Sequence, residues 1–188
     1  MGEELKTTKA GEFTLIARQV NGIYEGALWS QSRTVQRVNG RDLDSVYQQL
    51  HALLDHRLAD RIAARLGREP SAEEAVRALV RVFPNMSVGQ RTMLRAHYKA
   101  PGRTITATQL AQAAGYANFS AANLQYGLLG AMLLAEIPED LPRRQDGSGV
   151  AACALATGDY PEKGADAPDW VWNMRQHIAE ALKRISSF

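Results

Sequence analysis

Six basic residues, Arg77, Arg81, Arg91, Arg95, Lys99 and Arg103, lie between Glu74 and Glu136 with no Asp or Glu among them. In a chain whose acids and bases otherwise nearly balance, such a stretch is suited to contacting phosphates. Arg91, Arg95 and Lys99 recur at i, i+4 and i+8, so on a helix they line one face, and Arg103 extends the track into the following loop. Solvated helical faces normally intersperse acids with bases, and this one does not. Downstream, Asn118, Ser120, Asn123, Gln125 and Tyr126 are uncharged polar groups. Amides of Asn and Gln can pair with adenine edges, and hydroxyls suit phosphates or base edges. The bland reading makes each of them a solvated polar position. An affinity built on these cations falls steeply with salt.

Catalytic chemistry has less support. HALLDHRLAD carries His51, Asp55, His56 and Asp60. On a helix, however, His51 and Asp55 share one face and His56 and Asp60 another, so four ligands do not converge, and pairing with Arg57 and Arg61 is favoured. Asp42 and Asp44 suit the start of a helix. Cys153 has no histidine near it in sequence and reads as a buried thiol. No phosphate-binding glycine loop, nucleophile elbow or paired-histidine nuclease motif is present in the sequence. The expectation is no catalytic residue, no metal ligand and no cofactor, leaning away from an enzyme.

The elements that must position these groups can be read from local signals. Phe13 to Val20 and Ile23 to Ser30 flank Asn21-Gly22, a strong hairpin signal, and Arg33 to Val38 offers a third strand. From Asp42, Leu43, Val46, Tyr47, Leu50, Leu54, Leu58, Ile62 and Leu66 recur at helical spacing until Gly67. Ser71/Glu74, Ser87/Gln90 and Thr106/Gln109 are capping boxes that open three helices, ending near Phe83, Tyr98 and Ala114. Ser120 is placed to cap a fourth helix reaching Glu136. Across the third and fourth helices, residues 106–135, Ala111 and Gly115 have the spacing of a helix-turn-helix, with Leu110, Leu124 and Leu128 as shared core. Gly127 and Gly130 read as sites of close helix packing. Gly149 to Ala156 and Trp170 to Asn173 read as a strand pair, the wing, around a polar loop from Gly158 to Asp169 that is either a contact arm or merely a connection. Trp170 and Trp172 alternate, so both face one side, for packing rather than stacking on a ligand. A helix from Met174 to Ile185 closes the chain. The fold class expected is α+β, with a β-hairpin or three-stranded antiparallel sheet and a long helix over residues 1–70, then a mainly helical, winged helix-turn-helix-like domain over 71–188.

Composition narrows the function classes. The chain has 188 residues, 45% apolar and 22% charged, a formal net charge of +2 and one cysteine. That describes a folded globular protein without an intrachain disulfide. No run approaches the roughly 20 apolar residues that span a bilayer, and the first residues have no apolar signal core. A cytoplasmic, bacterial protein without membrane association is expected.

QRTMLRAHYKAPGRTITATQLAQAAGYANFSAANLQYGLLGAML, together with WVWNMRQHIAEAL, resembles a winged helix-turn-helix-like DNA-binding module of bacterial restriction-type proteins that carry an HNH nuclease elsewhere. The resemblance covers about the C-terminal half. It implies recognition of double-stranded DNA, modified or foreign DNA included, in defence, restriction or mobile-element control. This sequence has no recognisable HNH domain, which leaves a binding module or the partner of a separate nuclease. The alternative is a phage or mobile-element inhibitor of anti-CRISPR or anti-restriction type, docking on a nuclease or CRISPR complex. A third reading makes the N-terminal part a small nuclease-like domain, and a homodimer is left open.

Overall fold

A computed structural model describes residues 4–30, 32–159 and 170–185. The chain is α+β and divides into two compact units, Met1–Gly67 and Arg68–Phe188.

The first unit is a four-stranded antiparallel meander in the order β1-β2-β3-β4, formed by β1 (Leu5–Ala10), β2 (Phe13–Val20), β3 (Ile23–Ser30) and β4 (Arg33–Gly40). Asn21 and Gly22 both take positive φ, 51° and 80°, and Val20 pairs directly with Ile23. This is the two-residue turn whose twist matches the strands it joins. The sheet exceeds the expected three strands because LKTTKA pairs along β2 as an exposed edge; its polar sequence carries no burial signal. Helix α1 (Leu43–Ala64) starts at Asp42, whose side chain accepts from the Ser45 amide at 2.7 Å. It lays Val46, Leu50 and Leu54 on Phe13, Leu15, Ala17 and Leu28 to make the first core. Gly26 permits the approach, since a Cβ there would stand 2.5 Å from Val46 Cγ1. The apolar stripe stops short of Leu66, which lies beyond the helix end at φ 52° and is 84% exposed.

The second unit runs α2 (Ala72–Val82), α3 (Val88–Lys99), β5 (Thr104–Thr106), α4 (Ala107–Ala114), α5 (Phe119–Glu136), β6 (Ala156–Asp159), β7 (Val171–Met174) and α6 (Gln176–Arg184). The three capping boxes are all made, each with its reciprocal pair of bonds. The fourth helix differs in its cap: the Asn118 side chain accepts from the Ala121 amide at 3.0 Å, and Ser120 sits one position inside α5. A second sheet has the order β5-β7-β6, antiparallel throughout. Its short strand β5 escapes a periodicity reading because only Ile105 is buried. The expected strand from Gly149 is instead a 3-10 turn at Ala151–Ala154, and strand geometry begins at Ala156. The turn lies on α5 at Gly130, where a Cβ would stand 2.0 Å from the Ala151 carbonyl oxygen. Arg175 fastens the end of β7, donating to the Cys153 carbonyl at 3.1 Å and pairing with Glu139 at 2.7 Å and Glu69 at 3.1 Å. Most of the expected loop, residues 160–169, lies outside the described residues. No described helix is long and apolar enough to cross a membrane.

Candidate nucleic-acid interface

The helix that was to carry the cationic track is α3, and its three cations do not act alike. Arg91 turns back: its Nη2 donates to the Phe83 carbonyl at 3.1 Å while the guanidinium lies 4.4 Å above the Phe83 ring. Arg91 therefore belongs to the packing of α3 on the turn after α2. Arg95 and Lys99 are exposed. Arg103 follows the helix in a tight turn with Gly102 and Arg103 at φ 61° and 57°, and its guanidinium lies 5.7 Å over the Tyr98 ring.

That turn is held from inside by His97, which is fully buried. Its Nε2 lies 3.0 Å from both the Arg103 and the Trp172 carbonyl oxygens, and its Nδ1 lies 2.6 Å from the Tyr126 hydroxyl. Two carbonyls can only accept, so Nε2 carries the proton, Nδ1 accepts, and the Tyr126 hydroxyl donates. Burial depresses the His97 pKa to about 4, against the opposing pull of the Arg103 and Trp172 carbonyls. The same burial pushes the Tyr126 hydroxyl far above its usual value. A neutral histidine thus ties α3, α5, β7 and the turn at Arg103 together.

Tyr126 is consequently not on the reading surface expected for it; it is fully buried in the second core. The correction extends to the phase of α5. Ala122, Tyr126, Leu129 and Leu133 face the core, whereas Leu124 and Leu128 are 63% and 47% exposed. Because α5 is apolar nearly all round, Leu124 and Leu128 had a claim on the core equal to that of Leu129 and Leu133. The core partners on α4 are Leu110 and Ala111, and Gly115 ends α4 in the left-handed region at φ 71°.

The other polar groups are largely committed within the fold. Asn118 is the α5 cap. Asn123 accepts from the Trp172 indole at 3.4 Å, and the Gln125 side chain accepts from the buried Gln90 at 3.2 Å. The amide nitrogens of Asn123 and Gln125 keep their donors for other uses. Ser120 is exposed in the first turn.

What the outer side of α5 presents is a groove of about 720 Å³. Phe119, Asn123, Leu124, Gly127 and Leu128 form one wall, and Ala151, Trp170 and Trp172 lie across it. Gly127 opens space there, with no atom within 4 Å of its would-be Cβ. Trp170 packs flat on Gly158, where a Cβ would meet its ring at 2.1 Å, and its centroid stands 5.4 Å from that of Trp172. Among the described residues of the lining Arg144 is the charged one, its Nη1 donating to the Gly149 carbonyl at 3.0 Å. Arg144, Phe119, Leu124 and Leu128 were missed as site residues. The Arg143-Arg144 pair in a Gly/Ser turn was a readable signal for the first; the others carried none.

Of the metal candidates, His56 and Asp60 pair across one turn at 3.6 Å, and Arg61 pairs with Glu12. Among the described residues, no group of three or more His, Cys, Asp or Glu is arranged to hold a metal ion. No protein-family model matches the chain, and neither a curated protein nor a solved structure is significantly similar to it.

Proposed function

We propose that the chain is a non-catalytic DNA-binding protein of the winged helix-turn-helix kind, serving restriction, defence or mobile-element control in a bacterial cytoplasm. The observation that carries this reading is the path α3-β5-α4-α5-β6-β7 with β7 between β5 and β6. It is the order in which a winged helix is built, with α4 and α5 as the helix pair. The acid-free sequence from Ala75 to Ala135 supports it electrostatically. In this reading Arg95, Lys99 and Arg144 contact phosphates, with Ser120 at the tip of α5. Leu124 and Leu128 contact thymine methyls, which are the apolar features of the major groove.

The test is fluorescence anisotropy with a labelled duplex across a salt series. Arg95→Ala with Lys99→Ala should weaken binding and reduce the salt slope by about 2. Absence of duplex binding at low salt would remove the reading.

One observation favours a second reading, a protein-interaction inhibitor acting on a nucleic-acid-handling complex. Phe119, Leu124 and Leu128, at 53%, 63% and 47% exposure, edge the same groove, as an apolar docking site requires. Leu124→Arg separates the two. An added cation sustains or strengthens duplex binding, whereas it ejects an apolar protein partner that co-purifies from a bacterial lysate.

A further inference from the structure

The side of the N-terminal sheet turned away from α1 has a composition that the first core does not explain. Strand register places Lys9, Thr14, Trp29 and Thr34 in one row across the four strands, and Thr7, Ile16, Ala27 and Arg37 in the next. Paired residues share a face and alternate residues oppose, so both rows lie opposite Phe13, Leu15 and Leu28, which pack under α1. In a third row, Arg18 is held by Glu25 at 2.6 Å. The face therefore has a half-buried aromatic slab on an inner strand, one row from the end of the sheet, a cation at each edge strand and only one carboxylate in these rows, already paired.

Ala27 is the short residue between larger ones, and it leaves a dent of about 270 Å³ that Ile16, Arg18, Glu25, Trp29, Arg37 and Asn39 also line, with Glu25 held in its ion pair with Arg18. An indole on one side and a guanidinium on another suit a flat ring that carries a phosphate beside it. With Arg18 neutralised by Glu25, a second copy of this chain would bring Lys9 and Arg37 against the same two cations, which argues against self-association. In a duplex the base faces are buried in the stack, so only an unstacked base can use the indole. We infer that this face binds single-stranded nucleic acid, with a base stacked on Trp29 and the backbone held by Arg37 and Lys9. The inference stands apart from the duplex contact proposed for the second unit.

The probe is a fluorescent 20-nucleotide oligothymidylate, titrated with full-length protein at low salt beside a duplex of equal length. Trp29→Ala should weaken oligothymidylate binding about ten-fold or more, while Trp29→Phe, which keeps a ring, recovers most of it. Arg37→Ala should lower the single-strand salt slope by about 0.7. Lys183→Ala, removing an exposed cation of the other unit, should leave the affinity unchanged. Photocrosslinking of wild-type protein to 5-iodouracil-substituted oligothymidylate keeps the test independent of variant folding, and the adduct should map to the peptide containing Trp29. Failure to bind oligothymidylate, wild-type affinity in both Trp29→Ala and Arg37→Ala, or an adduct elsewhere would each overturn the inference. Duplex binding that is lost with Trp29→Ala while single-strand binding persists would reassign the face to duplex contact.

Discussion

Acid should loosen the second unit, and His97 should carry a measurable part of that loss; burial lowers the pKa of His177 as well, so it acts in the same direction. His97 is buried and neutral, with a pKa of about 4, against about 6.5 in an unfolded chain. The folded value is the lower, so the unfolded chain takes up the proton first as pH falls. The stability associated with a neutral His97 is complete above about pH 6.5 and is lost progressively towards pH 4. A gap of about 2.5 units corresponds to roughly 3 kcal/mol in all, with about 1.4 kcal/mol already gone at pH 5.5. That is a large share of the 5–15 kcal/mol typical of a domain. The assay is urea unfolding between pH 7.5 and 4.5 in a Trp29→Phe background, so that emission reports Trp170 and Trp172 in the second unit. His97→Gln, which cannot titrate, should start less stable by about 1–3 kcal/mol because it breaks buried hydrogen bonds. Its curve should then be flatter, and the difference from wild type should shrink as pH falls to 4.5. Parallel curves for the two proteins, or a His97 ring resonance titrating near pH 6.5, would refute the reasoning.

Two further outcomes follow from packing. Gly130→Ala places a Cβ against the Ala151 carbonyl, and backbone on one side with helix on the other leaves little room to yield; a loss of about 1–3 kcal/mol is expected, read as a lower Tm. Burial raises the Cys153 thiol pKa, against the lowering influence of Arg175 and Arg144, so disulfide-exchange reagents at pH 8 should modify it more slowly than a free cysteine.

The features readable from sequence were those whose determinants lie within a few residues. Ser71 and Glu74, Ser87 and Gln90, and Thr106 and Gln109 bond to each other's backbone across three positions, and Asn21-Gly22 sets its own turn. What could not be read depends on partners far along the chain. LKTTKA becomes a strand only because β2 offers an edge, and β5 only because β7 returns to it. The candidate site suffered for the same reason. Helical spacing puts Arg91 on the same face as Arg95 and Lys99, but the Phe83 ring and carbonyl that hold it come from the turn after α2. Tyr126 reads as a solvent-facing polar group in its own helix, and its burial is set by His97, 29 residues earlier. On α5, an all-round apolar sequence left the buried side undetermined until Leu110 and Ala111 of α4 covered it.

The central place of β7 in its sheet bears on the order of folding. Thr104 pairs with Asn173, so the middle strand comes from residues far downstream of β5. The first unit, a meander whose neighbours in space are neighbours in sequence, closes only short loops and can form as soon as its helix has been synthesised. The second must hold β5 unpaired, with the backbone groups it later gives to β7 exposed, through the synthesis of α4, α5 and β6. During that interval those groups are open to pairing with another chain, so aggregation during expression should depend on residues 171–174 being reached.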